Sequence, residues 1–183
     1  MLSDLRKRKL AKLFHIWDTN HDGLIERADF LLVALRVAEL SGSLPGSDAY
    51  RTIQAGYLQS WEIMCQTLDK DLVAGEMNLD EYLLAQEVGL ADQTNWERYV
   101  REYVLGLANR VDKDHDGLIT LAEFTSFACA YGIGVDIALK AAQSFDHNQD
   151  GFIRIDDIVR YLEEFYYSDD PAAPGNNFAG LFG

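Results

Sequence analysis

The chain has 183 residues, 48% of them hydrophobic, enough to bury one compact core or two closely joined halves. Its 16 Lys and Arg face 30 Asp and Glu, a formal charge of −14, which argues against nucleic acid or an anionic membrane as a general partner and favours cations. No run approaches the roughly 18 apolar residues that mark a membrane span.

The N-terminal stretch MLSDLRKRKLAKLF turns charged at once and has neither the apolar core nor the cleavage site of a secretory signal. Its Leu5, Leu10, Leu13, Phe14 and Trp17 share one face of a helix. The run RKRK (6–9) with Lys12 is expected to be a solvated helix face or to dock on the protein's own acidic body.

That helix leads into DTNHDGLIERADF from Asp18, and the pattern returns without gaps as DKDHDGLITLAEF from Asp112 and DHNQDGFIRIDDI from Asp146. A fourth segment, KDLVAGEMNLDEY from Lys70, keeps the glycine, an apolar eighth position, the final acid and the aromatic after it. The later two segments start 34 residues apart and the earlier two 52 apart, so an insertion separates the first pair, and SGSLPGS (41–47) is its place. Helical stripes precede the remaining loops: Ile53, Tyr57, Trp61, Met64, Cys65 and Leu68 before the second, and Trp96, Tyr99, Val100, Tyr103, Val104, Leu107 and Val111 before the third. Thr94 and Glu97 have capping-box spacing at the head of the latter. The pattern predicts an all-α fold of eight helices paired around four loops, with strands of only a few residues inside the loops. Expected boundaries are an N-terminal pair over 1–90, a C-terminal pair over 91–167 and a tail over 168–183. Cys65 and Cys129 sit in apolar surroundings and are expected to be reduced, which fits a cytoplasmic protein.

The loops have the chemistry of a hard-cation site. Ca²⁺ takes six to eight oxygens, and short acidic or amide side chains at alternate positions one, three and five deliver them from a tightly turning backbone. Glycine at six permits a positive backbone torsion; position seven lends its carbonyl; the acid at twelve closes the sphere. Loop 112–123 matches throughout with Asp112, Asp114, Asp116, the Leu118 carbonyl and Glu123, and Thr120 at nine is placed to hold a water. Loop 18–29 offers Asp18, Asn20, Asp22, the Leu24 carbonyl and Asp29, with Glu26 at nine as a further oxygen. Loop 146–157 offers Asp146, Asn148, Asp150, the Phe152 carbonyl and Asp157; Arg154 at nine cannot ligate and weakens the site by its charge. Aspartate at twelve reaches one methylene less than glutamate, so Mg²⁺ is the expected competitor in these two loops. Loop 70–81 puts Lys70, Leu72 and Ala74 at one, three and five and is expected to bind no metal, serving as a structural partner whose Met77 pairs with Ile25, as Ile119 pairs with Ile153.

These loops resemble those of the EF-hand calcium-binding proteins, and the degenerate second loop with the insertion before it resembles the sarcoplasmic calcium-binding protein group, with GLIERADF (23–30) most like its bacterial calerythrin branch. The resemblance implies four EF hands in two packed pairs, about three bound ions at sites one, three and four, and a role as a calcium buffer or transporter. The alternative is a calcium-dependent sensor acting on a protein partner. Sensor grooves are rich in methionine, whereas this chain has 3 Met against 9 Phe, 9 Tyr and 3 Trp. A monomer without enzymatic activity is expected: His15, His21, His115 and His147 lie at noncoordinating positions, and no nucleophile elbow, phosphate loop or zinc spacing is present. In the tail, Phe178, Leu181 and Phe182 suggest packing back over a groove between the halves.

Overall fold

A computed structural model describes residues 1–92, 94, 101–112 and 114–176. The described helices are α1 (Asp4–Trp17), α2 (Arg27–Leu40), α3 (Asp48–Thr67), α4 (Leu79–Gly89), α5 (Glu102–Val111), α6 (Leu121–Ala130), α7 (Val135–Phe145) and α8 (Ile155–Tyr167). Four short strands lie in the loops: β1 (Ile25–Glu26), β2 (Glu76–Met77), β3 (Leu118–Thr120) and β4 (Phe152–Arg154). No described helix is long and apolar enough to cross a membrane.

Each loop pairs with its neighbour through an antiparallel ribbon. Ile25 stands opposite Met77, and Ile119 opposite Ile153, as the apolar eighth positions predict. All four are buried. These ribbons fix the helix pairs around them, because a buried apolar residue at the centre of each loop cannot slip register without turning its side chain to water.

Two cores result. One gathers Leu10, Phe14, Phe30, Tyr57, Trp61 and Tyr82; the other gathers Ile119, Phe124, Phe145, Ile158, Tyr161 and Leu162. Phe127 and Tyr166 pack against both. Trp17 stacks on Phe30 with centroids 4.5 Å apart and meets Tyr131 edge-on at 5.8 Å, and the Tyr57 and Tyr131 hydroxyls are hydrogen-bonded at 2.5 Å. Aromatic contacts with that geometry hold the halves at a fixed approach.

Local capping follows the sequence. Ser3 caps α1 by accepting from the Arg6 N–H, and Ser47, at the end of the insertion, caps α3 by accepting from the Tyr50 N–H. The opposite end of α8 is closed from a distance. Helix C-termini leave carbonyls unpaired, and the last turn of α8 has no basic residue of its own. Lys9 of α1 supplies it: Nζ donates to the Ser168 carbonyl at 2.9 Å, the Glu164 carbonyl at 3.3 Å and Asn176 Oδ1 at 3.1 Å. Arg6 Nε donates to the Tyr166 carbonyl at 2.8 Å. Two residues of the basic run thus dock on the negative end of a helix dipole, while Lys7, Arg8 and Lys12 stay exposed.

Cys65 is buried and Cys129 half-buried, and both are free thiols. Trp96, Glu97, Tyr99, Val100 and the tail residues Phe178, Leu181 and Phe182 lie outside the described residues, as does the side chain of Tyr103.

Candidate metal centres

Loops 18–29, 112–123 and 146–157 have one backbone. Their fourth residues, His21, His115 and Gln149, adopt φ of 60°, 59° and 59°, and their glycines, Gly23, Gly117 and Gly151, adopt 87°, 83° and 87°. The side-chain bonds repeat as well. The first-position aspartate accepts from the glycine N–H at 3.0, 3.0 and 2.8 Å (Asp18, Asp112, Asp146), and all three are buried. The fifth-position aspartate accepts from the N–H of residue seven at 2.9, 2.8 and 2.9 Å (Asp22, Asp116, Asp150). Those bonds wind the loop around a common centre.

At position three the loops diverge. Asn20 and Asn148 donate their amides to Asp22 Oδ2 and Asp150 Oδ2 at 2.8 and 2.7 Å. Asp114 cannot donate when ionised. It faces Asp112 and Asp116 with ligand oxygens all within 4.8 Å of one another, the one such acidic grouping among the described residues. The Asp116 charge, above all, raises the Asp114 carboxyl above its usual value. Asp112 Oδ1 is buried with no hydrogen-bond partner. A buried, unpaired carboxylate oxygen in a ring of like charge is costly alone, and a divalent cation relieves both burdens. The donor set, all oxygen, suits Ca²⁺ or Mg²⁺.

The twelfth-position acids differ most. Glu123 caps α6: its Oε2 accepts from the Thr120 N–H at 3.0 Å and hydroxyl at 2.8 Å, and it stands outside the three-aspartate grouping. Asp29, buried, accepts from the Glu26 N–H at 2.8 Å and from the Thr19 N–H at 3.1 Å, so the shorter acid reaches across to the loop's second residue. Asp157 does neither. Its Oδ1 pairs with Arg160 at 2.8 Å on its own helix, and no side chain caps α8.

Loop 70–81 is wound differently. Gly75 is absent from the positive-φ residues; a Cβ there would lie 2.3 Å from the Asp71 carbonyl oxygen. Glycine is required for close backbone approach rather than for its torsion, a different reason from the one its alignment with Gly23 suggested. Asp71 Oδ1 accepts from the Val73 and Ala74 N–H groups at 2.8 and 2.7 Å, and the Leu72 carbonyl is taken by the Trp61 indole at 2.9 Å. Lys70 at position one places its ammonium 2.7 Å from Glu81 Oε1 at position twelve, while Glu81 Oε2 accepts from the Asn78 N–H at 3.1 Å. The Lys70 contact first, then the Asn78 N–H, hold the Glu81 carboxyl below its ordinary value.

A family model described as EF hand matches residues 109–128, the third loop and its flanking helices. Calerythrin of Saccharopolyspora erythraea is 24% identical over 171 residues, 91% of this chain and 95% of that protein. Over nearly its whole length the chain is similar to an EF-hand protein. Sarcoplasmic calcium-binding proteins II, V, VI and VII of Branchiostoma lanceolatum are 28% identical over 184 residues, 96% of both chains. The structure of a sarcoplasmic calcium-binding protein from amphioxus has the same fold, with a TM-score of 0.70 at 22% identity over 99% of this chain and 98% of that one.

The sequence pattern placed Asp or Asn at positions one, three and five of loops 18–29, 112–123 and 146–157, and the structure winds those side chains into the loops. The pattern missed two partners. Lys70 was read as an obstacle to metal, and i,i+11 pairing across a loop has no periodic signature. Arg160 lies three residues beyond Asp157, a spacing that marks a helical ion pair and could have been noticed.

Proposed function

We propose that this protein is an intracellular calcium buffer, holding about three ions in loops 18–29, 112–123 and 146–157. The observation that carries the reading is the Asp112, Asp114 and Asp116 grouping with its orphaned Asp112 oxygen. Asp112, Asp114, Asp116, the Leu118 carbonyl and Glu123 would hold the third ion; Asp18, Asn20, Asp22, the Leu24 carbonyl and Asp29 the first; Asp146, Asn148, Asp150, the Phe152 carbonyl and Asp157 the fourth. A bound cation supplies only charge and coordination, so the protein's work is binding. The name of the amphioxus relative supports the calcium reading, and the methionine-poor, aromatic cores support a surface that changes little. Aspartate at twelve in the first and fourth loops makes Mg²⁺ the competitor there.

Calorimetric titration with Ca²⁺, with and without millimolar Mg²⁺, tests this. Three binding equivalents, of which Mg²⁺ weakens those closed by Asp29 and Asp157 most, is the expected result; a single equivalent overturns the count.

A sensor is the second reading, favoured by one observation. Glu123 stands outside the aspartate grouping, so capture of an ion by that side chain would draw the start of α6 inward. Amide chemical-shift changes on adding Ca²⁺ that stay in the loops support the buffer, and changes running through α6 support the sensor.

A further inference from the structure

The two ribbons are unequal. Three residue pairs join loops 112–123 and 146–157, and only two join loops 18–29 and 70–81. Of those two, Ile25 opposite Met77 is buried, but the other sets Glu26 opposite Glu76. Like charges directly opposite each other weaken a ladder, so the shorter ribbon also carries a repulsion. In the C-terminal pair each loop has its own proposed ligands, and an ion in one would order the ribbon for the other. Loop 70–81 has Lys70, Leu72 and Ala74 where those ligands belong, so loop 18–29 gets no help from a second ion.

A chain of short contacts stands in that ion's place and ends at the ribbon. Lys70 Nζ holds Glu81 Oε1 at 2.7 Å, and Glu81 Oε2 accepts from the Asn78 N–H at 3.1 Å. Asn78 Oδ1 accepts in return from the Glu81 N–H at 3.1 Å, which fixes the first turn of α4. Asn78 follows Met77, and Met77 faces Ile25 across the ribbon. On either side of Ile25 stand Leu24, whose carbonyl is a proposed ligand, and Glu26, whose N–H donates to Asp29 Oδ2 at 2.8 Å. Every link from Lys70 to Asp29 is a direct contact or a run of adjacent residues.

We infer that Lys70 is a positioning residue for the ion of loop 18–29: its ammonium closes loop 70–81 as a second ion would, and through Met77 and Ile25 it holds the Leu24 carbonyl and Asp29 in place for the cation. The inference rests on the reading of loop 18–29 as a calcium site. Its size is bounded, because a coupling transmits no more free energy than the contact behind it supplies. For a partly exposed ion pair that is about two- to fivefold in affinity. Its sign is distinctive. Plain repulsion by the Lys70 charge would weaken a neighbouring calcium site, so that removing the charge would tighten binding. Positioning requires the opposite.

The test is an NMR titration of the full chain with Ca²⁺, followed at Gly23, Gly117 and Gly151, whose N–H groups each donate to the first aspartate of their own loop. In Lys70→Met the Gly23 midpoint should rise about two- to fivefold, with Gly117 and Gly151 unchanged as internal evidence that the fold is kept. Lys70→Arg, which keeps a cation for Glu81, should leave the Gly23 midpoint near that of the wild type. Lys70→Met added to Glu81→Gln should cost nothing further, as expected for two members of one pair. A wild-type Gly23 that Ca²⁺ leaves unmoved overturns the site itself, and the inference with it. Where the wild-type site titrates, three results overturn the positioning role alone: a Gly23 midpoint unchanged or lowered in Lys70→Met, an equal rise at all three glycines, or a loss in Lys70→Arg as large as in Lys70→Met.

Discussion

Lys70 Nζ lies 2.7 Å from Glu81 Oε1, joining the first and twelfth positions of the second loop. In the other three hands both positions hold acids, and in the proposed reading a cation from solution would join them. Here the cation is covalently part of the chain. The N-terminal ribbon between Ile25 and Met77 therefore has one side whose closure does not depend on calcium.

Lys70→Met should loosen that loop. The pair is partly exposed, at 23% and 38% for the two side chains, so solvent screening limits its worth to about 1 kcal/mol or less. The expected loss is a melting-temperature drop of roughly 2–4 °C at low salt, fading as salt rises. The sign with pH follows from Glu81, whose carboxyl is held below its unfolded value. The stabilisation is complete above the unfolded carboxylate value and is lost as pH falls through the folded one. Thermal melts of wild type and Lys70→Met should converge in acid; a difference that persists there contradicts the account.

Calcium removal should matter far more. Three divalent ions would change the formal charge from −14 to −8. With each site at a hundredfold excess over its dissociation constant, three ions stabilise the fold by roughly 8 kcal/mol, or some 15–30 °C in a chain of this size. A melting temperature that EDTA leaves unmoved contradicts both the buffer and the sensor.

Arg160 competes for Asp157 at 2.8 Å. Arg160→Gln should free that carboxylate and tighten the proposed site in loop 146–157 by a factor of about two to five, the worth of an exposed ion pair. Titration followed by NMR of Gly151, whose N–H lies in that loop, resolves the site from its neighbours; unchanged affinity would show that the ion displaces Arg160 without cost.

Lys9 links alkaline stability to the closure of α8. Burial, then the neighbouring Arg6 charge, lower its ammonium to about 8 from 10.5. Between these values the unfolded chain binds the proton and the folded one releases it, so this group makes stability rise with pH from 8 upward. Cys65 works in the opposite direction above pH 9, since burial pushes its thiol from 9.0 to about 11. Urea unfolding between pH 8 and 9 should show a positive slope that Lys9→Met removes. The same variant leaves the Ser168 and Glu164 carbonyls and Asn176 without this donor, at a cost of about 1–3 kcal/mol.

The sequence by itself determined the hands. Asp and Asn at alternate positions, a glycine after them and an apolar eighth residue are local requirements of one loop, so twelve consecutive residues suffice to specify it. That is why the φ values of His21, His115 and Gln149 agree within a degree, and why the Ile119–Ile153 register was legible from spacing. Helix faces were legible for the same reason: Ile53, Tyr57, Trp61, Met64 and Cys65 are one stripe and all are buried.

Tertiary structure alone decided where residues from distant hands meet. Periodicity says that Lys9 lies on a helix, but only the packing of α1 against α8 brings it to carbonyls 155 and 159 residues away. Nor does any local rule leave space between the halves, or bury Tyr82 without a partner. Loop geometry is a property of short-range torsions and hydrogen bonds. The cavity is a difference between large packed volumes contributed by most of the helices, and no window of sequence contains that difference.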